Sequence, residues 1–236
     1  MTDKGASTGG TDLFDRGDEY AEMLAQGLRF TGESREYFKQ GRLDLLRAML
    51  PPPFSPAHIL DFGCGTGETT LALARAYADA RVTGVDTAEG AINFARHAHV
   101  ESRVDFVADF DHVAAGRFDL CYVNGVFHHI LPNDRPRALA WISSRMRANG
   151  LLALFENNPW NPGTRLVMSR IPFDLDARTL SPPHARLMLE AAGFRVETPI
   201  RHIFFFPAAL RSLRRLEPLL LRVPLGGQYL VLGRRT

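Results

Sequence analysis

Residues 59–70 read ILDFGCGTGETT: an apolar run, a carboxylate, and then three glycines at alternate positions. The run has strand character. Glycines behind a strand mark a tight turn into a helix, whose first N–H groups point outward and favour anions. Such a turn most often receives phosphate, and the dinucleotide fingerprint is Gly-x-Gly-x-x-Gly with an acid about twenty residues on. Here the spacing is Gly63-x-Gly65-x-Gly67, Asp61 stands just before it, and the later acid is Asp86. A carboxylate at the mouth of a pyrophosphate site repels its ligand at short range in a low dielectric. A ligand carrying an ammonium group is attracted instead.

Outward from this turn, strand and helix signals alternate. Strands are expected at His58–Phe62, Arg81–Val85, Val104–Ala108, Phe118–Asn124, Leu151–Glu156, Ile200–Phe206 and Gln228–Leu232. Helices are expected at Glu68–Tyr77, Ala88–Ala98, Arg135–Arg147, His184–Ala192 and, rich in Arg and Leu, Ala208–Leu221. This alternation predicts an α/β, Rossmann-like fold: a seven-stranded, mostly parallel sheet with helices on both faces. Ahead of it, residues 1–11 read as a disordered leader. Residues 12–50 read as an N-terminal unit of two helices, broken near Thr31-Gly32 and closed by Pro51-Pro52-Pro53. The main domain then runs over 54–236, with a helical insertion near 207–222.

Composition narrows the class. The 236 residues are 45% hydrophobic and 23% charged, which is globular, and the net charge of +2 does not by itself argue for nucleic acid. No apolar run reaches membrane-span length, and the polar start MTDKGASTGGTD lacks a signal-peptide core. Cys64 and Cys121 lie in strand-like contexts without a disulfide pattern, so a reducing cytoplasm is expected. Charge is uneven: from Arg195 onward the chain is +6, and the remainder is −4.

A ligand with adenosine at one end, an ammonium at the other and no phosphate satisfies both Asp86 and Asp61. S-adenosylmethionine is such a molecule. From about Tyr37 onward the chain resembles the class I S-adenosylmethionine-dependent methyltransferases, on four segments in order: LDFGCGTG, VTGVDTAEGAI, VDFVADF and FDLCYVNGVFHHI. The resemblance makes 54–236 the methyltransferase domain and implies roles. Gly63, Cys64, Gly65 and Gly67 would let the backbone approach the cofactor. Asp86, with Thr87 beside it, would take the ribose hydroxyls. Asp109 would accept from the adenine amine, and Phe110 would offer backbone and ring. Asn124, Gly125 and Val126 would line the methionine end. The two helices of 12–50 would form an N-terminal helical lid over the cofactor, with Tyr37 in contact and Arg42 on the methionine carboxylate.

Methyl transfer is an in-line displacement that needs alignment, and a base when the nucleophile arrives protonated. His128 and His129 follow the fourth strand on the ligand side and titrate near neutrality. They stand as candidate bases, His129 first, against the alternative that they pack the cofactor loop. Glu156 is the remaining catalytic candidate. After the fifth strand, FENNPWNPGTR places Asn157, Asn158 and Trp160 as substrate contacts, with Tyr20 and Phe30 from the lid. Convergence of His128, His129 and Glu156 on a metal lacks ligand spacing, and no metal is expected.

The expected function is methyl transfer to a small molecule (a natural product, sugar or acid metabolite) at oxygen, nitrogen or carbon. Such a protein would act as a monomer or homodimer, without nucleic acid or stable membrane insertion. Two alternatives stand beside it. Arg211, Arg214, Arg215 and Arg222 would suit an RNA or protein substrate. PAALRSLRRLEPLLLRVP would suit attachment to a membrane surface and lipid-linked substrates, although Pro218 interrupts that helix.

Overall fold

The computed structural model describes residues 32–196 and 199–236. The leader, the first lid helix and the candidates Tyr20 and Phe30 lie outside the described residues. In chain order the elements are α1 (Arg35–Met49), β1 (His58–Phe62), α2 (Glu68–Ala76), β2 (Arg81–Val85), α3 (Glu89–Ala98), β3 (Val104–Val107), β4 (Phe118–Asn124) and α4 (Arg135–Arg145). They continue with β5 (Met146–Asn157), α5 (Pro162–Met168), α6 (Pro182–Ala191), β6 (Phe194–Val196), β7 (Arg201–Ile203), α7 (Glu217–Leu220) and β8 (Gln228–Arg235). Among the described residues, no helix is long and apolar enough to cross a membrane.

The sheet order is β3-β2-β1-β4-β5-β8-β6, with β7 also pairing β8. Strands β1 to β5 pair in parallel, and β8 runs antiparallel between β5 and the edge. β6 pairs Gly233–Arg235 and β7 pairs Gln228–Leu230, so the two short strands share one edge position. This gives the seven positions that the sequence predicts, the last split in two. The expected strand Ile200–Phe206 shortens to Arg201–Ile203 because Phe204 adopts a left-handed φ of 64°.

Both faces are covered, which is why the strands read as apolar runs rather than alternating ones. Leu60, Phe62, Val123, Leu152 and Leu154 pack with Leu139, Ile142 and Leu189 of α4 and α6. Their neighbours Ile59, Leu120, Tyr122, Leu151 and Phe155 pack with Leu43, Leu46 and Leu73 of α1 and α2. The lid helix α1 is capped by Ser34, whose Oγ accepts from Tyr37 N–H at 3.2 Å.

The expected helix Ala208–Leu221 is corrected. Ala208–Leu216 is a 3₁₀ stretch kinked at Leu210, followed by the four-residue α7. Conversely, α5 is a helix that stands outside the expected elements. Asn161 caps it by accepting from Thr164 N–H at 2.8 Å, and Pro162 occupies its first turn, where no N–H is needed.

Candidate functional site

The chain winds outward from β1 through β2 to β3 and then crosses back to β4 on the other side of β1, so the loops after β1 and β4 part at the ligand-binding end of the sheet. Gly63 and Cys64 donate to Val85 O at 2.8 and 3.0 Å, and Gly65 donates to Asp86 Oδ2 at 2.8 Å. Gly63 has φ 75°, and a Cβ there would stand 2.3 Å from Val126 Cγ2, so no other residue fits without displacing β4's loop. At Gly65 a Cβ would meet nothing within 4 Å, which leaves open space in front of the loop. Val126 thus packs behind the glycines instead of facing the cavity.

Asp61 is also corrected in its placement. Its carboxylate is buried beneath the loop, where Thr70 Oγ1 donates to Oδ2 at 2.7 Å. Burial chiefly, with the nearby Asp86 charge, pushes it up to about 7 against the opposing pull of Thr70 and Arg42. Any influence on an ammonium therefore passes through the loop rather than by direct contact.

A cavity of about 590 Å³ opens at the ends of β1, β4 and β5, within the usual range for small-molecule sites. α1 contributes Tyr37, Phe38 and Arg42, the end of β4 contributes Asn124, and the loops contribute Cys64, Gly65 and Gly125. Phe204, Phe205 and Phe206 and the apolar side chains Leu166, Val167, Met168 and Ile171 complete the walls. Arg42 Nε donates to Tyr122 OH at 3.2 Å and its Nη1 to Gln228 Oε1 at 3.0 Å, while Gln228 donates onward to Asn157 Oδ1 at 3.0 Å. Asn124 Oδ1 is buried with no hydrogen-bond partner among the described residues. An unmatched acceptor on the cavity wall fits a ligand that brings an N–H donor. Cys64 and Cys121 are unpaired thiols that burial pushes well up, so neither is a ready nucleophile.

Asp86, Thr87, Asp109 and Phe110 sit at the ends of β2 and β3, outside this cavity. Asp109 is exposed and accepts from Asp111 N–H and His112 Nδ1; the Asp111 bond chiefly holds its carboxyl below the ordinary range. Phe110 packs its ring edge-on to Phe62 at 5.8 Å and against Trp141 at 4.8 Å, so its ring faces the core and only its backbone edge is left toward a ligand.

The histidines form a charged cluster with two acids. Glu156 is fully buried: Oε1 accepts Phe127 N–H at 2.7 Å and Oε2 accepts His128 Nδ1–H at 2.6 Å. Asp174 Oδ1 lies 3.5 Å from His128 Nε2 and 3.4 Å from His129 Nε2. Burial alone would lower His128, but Glu156 and Asp174 outweigh it and raise it to about 10. His129 is driven the other way, to about 4, by burial and then by the charge on His128. The expectation that either ring titrates near neutrality is therefore overturned: one is a fixed imidazolium, the other a neutral ring. Glu156 is corrected too, since it does not line the cavity and works by orienting His128 and the Phe127 backbone.

Two substrate candidates fall away. Asn158 is fully buried and donates to Pro224 O and Gly226 O, closing the turn beneath β8. Trp160 is exposed on the surface and does not line the cavity. Their places are taken by Asn161 and Thr164 of α5, and by Asp174 and Gln228, which sequence reasoning missed. The Asn161-Pro162 helix start was a readable signal for the first pair; Asp174 lies in a three-residue 3₁₀ turn with no periodicity to betray it.

Residues 59–150 match a family model described as a methyltransferase domain. The chain is 31% identical over 189 residues to malonyl-[acyl-carrier protein] O-methyltransferase of Geobacter sulfurreducens, across 73% of this chain and 70% of that one. It is 34% identical over 110 residues to trans-aconitate 2-methyltransferase of Deinococcus radiodurans, across 46% of this chain and 41% of that one. Against the malonyl-[acyl-carrier protein] O-methyltransferase of Acetivibrio thermocellus it spans 34% of the relative's length. The fold is shared with a SAM-dependent methyltransferase structure from Archaeoglobus fulgidus, with TM-score 0.63 at 19% identity over 88% of this chain and 97% of that one. With the glycine loop, the sheet order and these relatives together, the chain belongs to the class I S-adenosylmethionine-dependent methyltransferases.

Proposed function

We propose that the chain methylates a small-molecule acceptor, a natural product, sugar or acid metabolite, seated in the cavity between the glycine loop and α5. The observation that carries this is the half-open cavity, walled by aromatic and aliphatic side chains on one side and ending on His128, His129 and Asp174. The relatives named for malonyl-[acyl-carrier protein] and trans-aconitate support the acid metabolite among the three classes. When bound, S-adenosylmethionine supplies an electrophilic methyl on a sulfonium. The chain's own part is alignment and proton removal. Asn124 and the Arg42–Gln228–Asn157 relay hold polar groups, Tyr37, Phe38 and Phe204 to Phe206 supply apolar wall, and neutral His129 takes the proton when the acceptor is a hydroxyl, whereas a carboxylate acceptor needs alignment alone. A radiolabelled methyl-transfer screen over metabolite classes tests the reading; labelled product from protein or RNA alone would refute it.

Asp86 is expected to hold the ribose hydroxyls with the acceptor capacity left after bonding Gly65 and Ala88. Asp86→Ala should weaken cofactor binding by about 1.5–3 kcal/mol, the range for losing a charged hydrogen-bond partner. Calorimetry with S-adenosylhomocysteine reads it directly, and an unchanged affinity would remove Asp86 from the site.

No metal is expected to take part. His128, His129 and Asp174 bring ligand atoms within 4.8 Å of one another, a different trio from the one weighed on sequence. That trio lacks the spacing of a metal-ligand motif, and β4 and β5 end in Asn124 and Asn157 rather than in carboxylates. Turnover should survive a chelator. Loss restored by magnesium or zinc would overturn this.

A further inference from the structure

We propose that the segment 208–222 docks the protein on an anionic lipid bilayer, beside the mouth of the cavity. Leucines recur at 210, 213, 216 and 219, a strict period of three. In a 3₁₀ helix, side chains three apart eclipse. Beyond the kink at Leu210, the 3₁₀ stretch sets Leu213 and Leu216 on one side, and Leu210 before it and Leu219 in α7 extend the exposed leucine row at either end. The ridge faces solvent: Leu210, Leu213, Leu216 and Leu219 are 46%, 39%, 47% and 80% exposed, and no residue of either helix is buried.

Its surroundings select the partner. Arg211, Arg215 and Arg222 are exposed around the ridge. Arg214 is turned inward, onto Glu33 at 2.5 Å and over the Tyr37 ring at 4.3 Å, and so fastens the segment to the lid helix. Glu217, the sole acid between 207 and 227, accepts from Phe205 N–H and Phe206 N–H, which ties it to the backbone. An apolar ridge rimmed by arginine and free of outward acid matches the interface of an anionic membrane, where leucine enters the acyl boundary and arginine meets headgroups. Pro218, which would break a long α-helix, sits in the first turn of α7, where its missing N–H costs nothing.

The ridge follows directly on Phe205, Phe206 and Pro207, which wall the cavity. A bilayer seated there would present amphipathic acceptors to the chamber. That consequence rests on the proposed methyltransferase reading, whereas the docking does not, so the two are measured separately.

The test is flotation of the full chain with phosphatidylglycerol-containing vesicles and with phosphatidylcholine-only vesicles. Binding is expected to the first, to be weak on the second, and to fall as salt is raised. Arg211→Glu with Arg215→Glu, and separately Leu213→Asp with Leu216→Asp, should each reduce partitioning by about tenfold or more. Both variants should bind S-adenosylhomocysteine as the unaltered chain does. Equal recovery on the two vesicle types overturns the proposal. So does a self-associated protein that ignores vesicles, or a leucine variant that loses stability while the unaltered chain does not float, since the ridge is then covered by protein. Failure of S-adenosylhomocysteine binding with intact flotation would instead count against the methyltransferase reading.

Discussion

Replacing His129 with alanine is expected to cut turnover of a hydroxyl acceptor by about 10²–10⁴-fold, the usual contribution of a positioned base, and to spare a carboxylate acceptor. The lower part of that range is the better expectation, because a ring pushed down to about 4 is a weak base. It accepts the proton only as the methyl arrives and the acceptor becomes acidic. The sign of the pH dependence follows. A base works unprotonated, so the rate should be level through neutrality and fall only as pH drops toward 4. The variant should lose that acid limb while its affinity for S-adenosylhomocysteine stays close to the parent's. If affinity falls and the profile keeps its shape, His129 packs the loop and does no base work. Asp174→Asn is the companion variant. It should lower turnover less, because Asp174 acts through the rings it faces at 3.4 and 3.5 Å.

The second large effect is on stability. Glu156→Ala removes one partner of a fully buried ion pair and strands both His128 and the Phe127 N–H. Breaking such a pair costs about 3–5 kcal/mol. Linkage fixes the pH window. His128 is raised in the folded state from 6.5 to about 10, so the stability it confers is fully present below pH 6.5 and is lost as pH rises through 10. The gap between parent and variant should therefore be widest on the acid side of neutrality and close toward pH 10. Urea unfolding at several pH values measures it. A gap of less than about 1 kcal/mol at pH 6 would mean that the pair is not formed as described.

The fold was legible wherever burial imposed a pattern. β1 to β5 lie between two helical layers, so each reads as a bounded apolar run, and the glycine loop carries its own turn chemistry. The edge was harder. β6 and β7 are three residues each, too short for periodicity, and the left-handed Phe204 that ends β7 has no sequence signature. In the insertion, the period of three was present in the leucines, but a 3.6-residue template absorbs it as a helix. Site residues followed the same division. Arg42, Asn124, Gly125, His128 and His129 sit in or beside regular elements and do line the cavity. Asn158 and Trp160 were misjudged because the direction of a side chain in a proline-bounded turn depends on partners distant in sequence, here Pro224 and Gly226. Glu156 was found as a residue and misread as to role, since nothing local reveals that its two oxygens are already committed.

The antiparallel placement of β8 has a consequence for how the molecule comes into being. β8 is the last described strand to be synthesised, yet it fills an interior position, bonded to β5 on one side and to β6 and β7 on the other. While residues 228–235 are still unmade, the nascent chain carries an open edge on β5, whose residues 150–156 are all destined for burial. Exposed apolar edges of that kind recruit other strands. A ribosome stalled short of residue 228 would therefore release an aggregation-prone species, and slow translation of residues 228–235 should lower soluble yield more than an equal delay at the segment encoding β3.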